Sequence, residues 1–173
     1  MGFPSVIGVT ETWLSEETPS SVFECADKYD VFRCDRGSRG GGVALFARKC
    51  LKPRLLHSPD FGDLEIIAIQ VKFRAQFVIF ACFYRGSVTE VESLPKLNKA
   101  IEFLQSKGRP IVLMGDFNLP GVRWHDGDSP FADTEFCQDE FLDMFLSFGL
   151  KQVVNAPTRN TAILDLVFES EPN

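Results

Sequence analysis

A short apolar run at residues 111–114 ends in polar side chains, and this stretch constrains the fold more than any other. Such a run is typical of a strand buried on both faces. Gly115 ends it, and Asp116 and Asn118 follow two residues apart, where side chains of an extended chain point the same way. The stretch predicts a carboxylate and a carboxamide at the carboxyl end of a buried strand. A simple strand followed by an Asx turn would also explain it.

Length and composition indicate one domain with its own core. The chain has 173 residues, of which 45% are apolar and 24% charged. Its five cysteines are scattered without paired short spacings, which predicts reduced thiols in an intracellular protein rather than zinc or disulfides. No apolar run approaches the roughly 20 residues of a membrane span. The first residues also lack the pattern of a signal peptide.

Charge is distributed unevenly along the chain. The formal net charge of -6 argues against general coating of nucleic acid. Residues 33–54 nevertheless hold seven basic residues and one acid, whereas residues 115–173 hold three basic and eleven acidic ones. A basic rim that binds a phosphate backbone beside an acidic metal-binding cleft would explain the pattern, as would an ordinary solvated face. The candidate DNA-binding residues are Arg36, Arg39, Arg48 and Lys49.

Hydrophobic periodicity predicts more strands than helices. One helix is expected from an N-cap at Ser93 to a stop at Gly108, and another over residues 137–148. The glycine-rich run at 37–42 permits a hairpin or close approach to a phosphate; without a Gly-Lys-Ser/Thr motif, we predict the hairpin. Strands are predicted over 5–9, 29–34, 43–47, 64–73, 77–84, 111–114, 150–155 and 163–168. This pattern favours an α/β sandwich of two sheets over a simple parallel sheet.

Other polar residues lie at or inside the predicted strands. Glu11 follows the first strand, and Tyr84 and Arg85 place a phenol and a guanidinium at a later strand end. Asp165 lies within an apolar stretch, where a carboxylate is costly unless it is hydrogen-bonded or linked to a metal. A loop is expected over 119–130, and its His125 is interpreted as a surface residue.

Several separated motifs occur together and in a fixed order. They are Ile-Gly-Val-Thr-Glu-Thr-Trp-Leu at 7–14, Phe-Arg-Cys-Asp-Arg at 32–36, Gly-Gly-Gly-Val at 40–43, Tyr-Arg at 84–85, Gly-Asp-Phe-Asn at 115–118, Pro-Thr-Arg at 157–159 and Leu-Asp-Leu-Val-Phe at 164–168. The ordered set resembles the endonuclease domain of non-long-terminal-repeat (LINE-type) retrotransposons, within the endonuclease/exonuclease/phosphatase superfamily. The resemblance covers nearly the whole chain. It implies a four-layer α/β/β/α sandwich of two packed mixed sheets.

The resemblance also assigns roles to individual residues. It implies that Glu11 is the principal ligand of a Mg²⁺ (or Mn²⁺) ion and that Tyr84 and Thr158 contact the scissile phosphate. Asp116 would orient or deprotonate the attacking water, and Asn118 would hold the phosphate and its developing charge. These roles match the hydrolysis of a phosphodiester, which needs an activated water and neutralised phosphate oxygens.

Asp165 would orient a catalytic histidine, but the chain departs from the family at this point. Family members begin with an Asn-bearing strand and end with a Ser-Asp-His motif; this chain shows neither, and its two histidines, His57 and His125, lie outside such a motif. The expectation is one domain over residues 1–173 that lacks the first strand and the C-terminal Ser-Asp-His segment. Its activity is expected to be impaired.

The implied function is a Mg²⁺-dependent DNA endonuclease of a retroelement, which nicks one strand to expose a 3′-hydroxyl for reverse transcription. The implied partners are DNA and a reverse transcriptase in the parent polypeptide, and the implied location is the nucleus. A catalytically dead remnant that keeps the fold and at most binds DNA is a second hypothesis. A superfamily phosphoesterase acting on small substrates is a third, although the basic residues of 33–54 speak against it.

Overall fold

Two β-sheets lie face to face at the centre of the protein. The computed structural model describes residues 3–23, 27–86, 92–124, 131–132 and 138–170. The strands are β1 Val6–Thr10, β2 Tyr29–Cys34, β3 Val43–Arg48, β4 Arg54–Leu56, β5 Glu65–Phe73, β6 Gln76–Tyr84, β7 Ile111–Asp116, β8 Val122–Arg123, β9 Phe131–Ala132, β10 Leu150–Gln152 and β11 Asp165–Ser170. The α-helices are α1 Ser93–Gln105 and α2 Gln138–Ser147.

The larger sheet is mixed and the smaller one antiparallel. Within the described ranges, six strands pair in the order β10-β11-β7-β6-β5-β4, and only β6 and β7 run parallel. The smaller sheet has the order β1-β3-β2. The glycine-rich run joins β2 to β3, and β5 pairs with β6, so both predicted hairpins are confirmed. The predicted α/β sandwich of two sheets is also confirmed.

Successive side chains of the larger sheet point to opposite faces and pack into two different hydrophobic cores. Along β6, Ala81 and Phe83 pack toward the helices, whereas Cys82 and Tyr84 lie between the sheets. The helices α1 and α2 cover the first of these faces with their buried apolar residues. Across the smaller sheet, the outer face packs against Phe23, whose ring meets that of Phe46 edge-on at 5.0 Å. A short 3-10 helix, Ser20–Val22, precedes Phe23.

The smaller sheet covers the larger one unevenly. Its strands lie over β5 and β6, and β1 also reaches β7. The approach over β7 is close, because a Cβ atom at Gly8 would come within 2.5 Å of Met114 Sδ. Ile111 and Leu113 are buried on the helix side of β7, but Val112 and Met114 are only half-buried. The prediction of a strand fully buried on both faces was therefore wrong, because β7 lies near the edge of the covering sheet.

Several boundaries also differ from the predictions. The structure adds β4, and β8, inside the region predicted as a loop, pairs with β9, which directly follows that region. Ser93 is not the N-cap; it is the first residue of α1 and is buried, with Glu92 preceding it. Of the last two strands, β10 begins as predicted but ends earlier, at Gln152, and β11 is shifted by two residues to Asp165–Ser170. Among the described residues, no helix is long and apolar enough to cross a membrane.

Candidate active site at one end of the sheets

Strand ends from both sheets gather the predicted site residues. Glu11 directly follows β1, and Tyr84 and Asp116 are the last residues of β6 and β7. Because β6 and β7 are parallel, Tyr84 lies beside Asp116 in the register. Asp165, the first residue of the antiparallel strand β11, pairs with Asp116 from the other side. The sheet register alone therefore brings three of the predicted residues into one row, and Glu11 joins them through a hydrogen bond to Tyr84.

Glu11 is an exposed carboxylate held by two hydrogen bonds. Tyr84 Oη donates to its Oε1 at 2.8 Å, and Trp13 Nε1 donates to its Oε2 at 3.2 Å. These bonds lower the pKa of Glu11, the Tyr84 bond most, and the positive charges of Arg159 and Arg36 add to the effect. Glu11 also has a left-handed φ of 51°, which is uncommon outside glycine. The carboxylate is thus ionised and fixed in direction.

The glycine-rich loop between β2 and β3 holds the turn that carries Glu11. The backbone N–H groups of Thr12 and Trp13 donate to the carbonyls of Gly42 and Gly41 at 3.2 and 3.0 Å. Gly41 and Gly42 have φ values of 68° and 85°, and a Cβ at Gly42 would come within 2.5 Å of Thr12 Oγ1. Glycine is required there by both conformation and space. The glycine-rich loop therefore holds the turn that carries Glu11 in place.

Glu65, which the sequence analysis did not single out, fastens this loop to the larger sheet. Its Oε1 accepts a hydrogen bond from Arg36 Nε at 2.7 Å, and its Oε2 accepts one from the Gly42 N–H. Arg36 Nη2 completes the ion pair, and the guanidinium lies 5.7 Å from the centre of the Tyr84 ring. Glu65 is also the register partner of Tyr84. The sequence signal that could have identified Glu65 is its position as the acidic first residue of the very apolar strand β5.

Tyr84 is a neutral hydrogen-bond donor in this arrangement. Burial raises the pKa of Tyr84 to about 12, and the neighbouring charge of Glu11 and its hydrogen bond act in the same direction. The phenol therefore keeps its proton throughout the physiological range. Its hydrogen bond orients Glu11.

The electrostatic environment of Asp116 is opposite to that of Glu11. Partial burial raises the pKa of Asp116, and the negative charges of Asp165 and Glu11 raise it further. A hydrogen bond from the Asn118 backbone N–H to Asp116 Oδ1, at 2.9 Å, and the charge of Arg159 only partly offset this. A carboxylate with a raised pKa is a better base at neutral pH. Asp116 is thus suited to accept a proton.

The segment after Asp116 is pinned by a buried aromatic ring. Phe117 is fully buried among Phe83, Phe145 and Phe168, and its N–H donates to Leu164 O at 3.0 Å. Asn118 then takes a φ of 47° and donates from Nδ2 to Arg85 O at 2.5 Å. The predicted Asx-type contact is present, since the Asn118 N–H bonds Asp116. The end of β7 and the turn after it therefore fix the side chains of Asp116 and Asn118.

Arg85 points inward rather than toward a substrate. Only 1% of its surface is exposed, and its guanidinium lies 4.5 Å from the centre of the Phe141 ring. Its Nη1 donates to Asn118 O at 3.4 Å. Arg85 therefore links α2 to the Asn118 turn, so the guanidinium noted at this strand end serves to position the turn.

Thr158 and Asp165 meet through the backbone of the last loop. Thr158 Oγ1 accepts hydrogen bonds from the N–H groups of Leu164 and Asp165, at 3.0 and 3.1 Å. Its hydroxyl proton remains available to a ligand oxygen. Asp165 is exposed, so the expectation of a carboxylate buried in an apolar strand was wrong. It is the first residue of β11, at the end of the strand next to Asp116.

The four candidate DNA-binding residues lie in two pairs near opposite ends of β3. Arg36 and Arg39 lie with the glycine-rich loop near Glu11, where Arg39 approaches the Trp13 ring at 5.8 Å. Arg48 ends β3 and Lys49 follows it, away from Glu11, since Val43 pairs with Thr10 and Ala47 with Val6. Five residues of β3 separate the two pairs by roughly 15 Å. DNA binding by these four residues stays a prediction.

The oxygen ligands present fit a cation that keeps much of its water. Among the residues the structure describes, no group of three or more His, Cys, Asp or Glu side chains forms a metal cage. The negative charges of Asp165 and Glu11 nevertheless act on Asp116 and help to raise its pKa. Mg²⁺ is bound by one or two carboxylates and several waters. Such oxygen donors are of the kind that Mg²⁺ or Mn²⁺ takes, and Glu11, whose pKa is lowered, would be the ionised ligand. His125 lies outside the described residues.

Comparison with known proteins places the chain in a family. Residues 3–140 match the sequence model of the endonuclease/exonuclease/phosphatase family. The chain belongs to this family. No curated protein matches it at a significant level.

Solved structures of low sequence identity share the fold. The endonuclease domain of TRAS1, a telomere-specific non-LTR retrotransposon, has a TM-score of 0.64 and 17% identity, over 96% of this chain and 72% of that one. The 3′-5′ exonuclease NExo from Neisseria meningitidis has a TM-score of 0.67 and 15% identity, over 96% and 77%. An AP endonuclease from Archaeoglobus fulgidus has a TM-score of 0.61 and 15% identity, over 98% and 77%. These relatives span nucleases of several specificities.

Proposed function

We propose that this protein is a Mg²⁺-dependent DNA endonuclease domain of a retroelement. Membership in the endonuclease/exonuclease/phosphatase family restricts the chemistry to phosphoester hydrolysis. The solved relatives include a retrotransposon endonuclease, and one relative, the Neisseria 3′ phosphatase NExo, was solved with a product DNA hairpin. The ordered motifs of the sequence favour the retroelement branch, with a reverse transcriptase elsewhere in the parent polypeptide.

The observation that carries the proposal is the presence of two carboxylates with opposite pKa shifts, Glu11 and Asp116, at one end of the sheets. Glu11 has a lowered pKa and Asp116 a raised one, and Tyr84 contacts both positions, by a hydrogen bond to the first and in the register beside the second. Hydrolysis of a phosphodiester requires one site that holds positive charge on the phosphate and one that removes a proton from water. The two environments match these two tasks.

Each residue would then act on a defined part of the reaction. Mg²⁺ bound at Glu11 would neutralise phosphate charge and stabilise the leaving oxygen. Asp116 would accept the proton of the attacking water, and the Asn118 side chain would hold a phosphate oxygen after exchanging its bond with Arg85 O. Thr158 Oγ1 would donate to a remaining oxygen, and Tyr84 Oη would do so after exchanging its bond with Glu11. Arg159, whose charge reaches both carboxylates, would attract the phosphate.

Nicking of supercoiled plasmid DNA tests the proposal. The 173-residue protein would be assayed with Mg²⁺, with Mn²⁺ and with a chelator, beside Asp116→Ala and the matched surface variant Asp63→Asn, whose carboxylate pairs with Lys96 on the exposed surface. We expect weak, metal-dependent conversion to the nicked circle, lost in Asp116→Ala only. Activity that persists in Asp116→Ala or in chelator would contradict the proposal.

Two alternatives predict different results in the same experiments. A remnant that keeps the fold would bind DNA without metal-dependent nicking. A phosphoesterase for small substrates would hydrolyse a phosphomonoester and leave the plasmid intact. The charged loop beside Glu11, with Arg36 and Arg39, favours a polyanionic substrate over a small one.

A further inference from the structure

Trp13 is a large apolar side chain held in solvent at the edge of the candidate site. It is 58% exposed, although it follows Glu11 by only two residues. Its indole Nε1 donates to Glu11 Oε2 at 3.2 Å, and its backbone N–H donates to Gly41 O at 3.0 Å. The ring therefore has a fixed position relative to the carboxylate, rather than being a loose surface residue.

The backbone at Trp13 is strained to achieve this exposure. Its φ of 55° lies in the left-handed region, which is unfavourable for a bulky non-glycine residue. Glu11 has the same conformation two residues earlier. A turn that needed only to end β1 could relax this strain or bury the indole. The observed outlier points to a use for the exposed ring.

A guanidinium accompanies the ring. Arg39, which is exposed, lies with its Cζ 5.8 Å from the centre of the Trp13 ring, within the range of a cation–π contact. More than half of the indole stays accessible beside it. An exposed aromatic face next to an exposed cation is the combination that binds single-stranded nucleic acid, since the ring stacks on a base and the cation attracts the backbone.

We propose that Trp13, supported by Arg39, is a stacking platform for one unpaired nucleobase next to the scissile phosphate. The inference rests on the proposed DNA substrate, and it names the feature of that substrate which the site would select. An unpaired or extruded base offers both of its faces for stacking, whereas a base inside a duplex does not. The platform would favour cleavage beside bulged, flipped or single-stranded nucleotides over cleavage in uniform duplex.

Tryptophan fluorescence in a metal-free buffer tests the platform without cleavage. The chain has two tryptophans, so the difference between the wild type and Trp13→Phe isolates the emission of Trp13. Three duplexes would be titrated: one with a single unpaired base, one with an abasic sugar at that position, and one fully paired. We expect quenching of Trp13 emission and tightest binding with the unpaired base.

Substitutions separate stacking from the hydrogen bond to Glu11. Trp13→Ala should bind the unpaired-base duplex roughly 5- to 150-fold more weakly and the abasic duplex as the wild type does. Trp13→Phe, which keeps a ring but loses the indole N–H, should retain most of the preference. Phe3→Ala is the matched control, because Phe3 is 62% exposed and has Lys28 Nζ 4.4 Å from its ring centre at the opposite end of β1.

The outcomes distinguish this inference from the proposed function. Wild-type protein that nicks plasmid but binds the three duplexes equally would overturn the platform and leave the nuclease standing. Base-dependent quenching without any metal-dependent nicking would support the platform and contradict the nuclease. Equal losses in Trp13→Ala and Trp13→Phe would also overturn the platform, because they would assign the effect to the indole hydrogen bond.

Discussion

Glu11 and Asp116 are two carboxylates at the same end of the molecule, yet their surroundings are opposite. Glu11 is exposed and receives two side-chain hydrogen bonds, which lower its pKa. Asp116 is half-buried beside other negative charges, which raise its pKa. The difference shows how one sheet end can hold an ionised cation ligand and a basic carboxylate together.

The two positions also depend on different kinds of structure. Asp116 is fixed by the hydrogen-bond register of β7 between β6 and β11, which is part of the central sheet. Glu11 is fixed by a strained turn, a glycine-rich loop and the Arg36–Glu65 pair, which come from separate parts of the chain. We therefore expect changes near Glu11 to alter metal affinity, and changes at Asp116 to alter the chemical step.

The largest effect should come from Asp116→Asn. Removal of the proton acceptor should lower the nicking rate by roughly 10²- to 10⁴-fold, while the Mg²⁺ concentration for half-maximal activity stays near the wild-type value. Rates measured over a Mg²⁺ titration would check this. If extra Mg²⁺ restored the rate, Asp116 would be a metal ligand and the division of roles would be wrong.

Glu65→Gln should act through Glu11 and have a smaller effect. Loss of the charge that holds Arg36 and Gly42 should loosen the Glu11 turn and weaken Mg²⁺ affinity by roughly 10- to 100-fold, as for other supporting residues of metal sites. The rate at saturating Mg²⁺ should change little. Asp63→Asn is the control, since it removes an exposed acid that pairs with Lys96. A fall in the saturated rate with unchanged metal affinity would contradict the bracing role.

Asp165→Asn should shift the pH dependence of the rate. The charge of Asp165 helps to raise the pKa of Asp116, so its removal lowers that pKa. Asp116 then stays ionised to a lower pH, and the acid limb of the nicking rate should move to lower pH. A pH–rate profile at saturating Mg²⁺ checks this. If the acid limb stays in place, Asp116 does not control it.

The smallest effects concern stability, and they should have opposite signs. Ionised Asp116 is disfavoured in the folded state because its pKa is raised, so Asp116→Asn should increase the free energy of unfolding at pH 7. That gain should vanish as the pH falls below the unfolded value of 3.8. Glu11→Gln should slightly decrease stability at pH 7, and its deficit should vanish as the pH falls through the lowered pKa of Glu11. Urea unfolding at several pH values measures the free energy of unfolding of both variants. Changes of the same sign at pH 7 would contradict the opposite environments of Glu11 and Asp116.

Local patterns predicted the strand ends but not the contacts between distant segments. Apolar runs located β5, β6 and β7, and strand ends carried Tyr84 and Asp116, so their convergence at one sheet end could be predicted. The bracing role of Glu65 could not, because it depends on which strand the glycine-rich loop lies against.

Two features of the molecule could not be predicted from local patterns. A run of basic residues gives no information on strand register, which puts Arg48 at the opposite end of β3 from Arg36. The flanking leucines made Asp165 look buried, although the adjacent Leu166 points into the helix-side core while Asp165 itself is exposed. Both depend on how segments distant in the chain pair and pack, which single-sequence patterns do not encode.

A carboxyl-carbon NMR titration tests the central claim most directly. With Glu11 and Asp116 assigned by their Gln and Asn variants, the folded protein would be titrated with and without Mg²⁺. We predict that Glu11 titrates below its ordinary value of 4.5 and Asp116 above its ordinary value of 3.8, and that Mg²⁺ shifts the Glu11 resonance first. Ordinary pKa values for both groups, or a Mg²⁺ response at Asp116 without one at Glu11, would contradict the account.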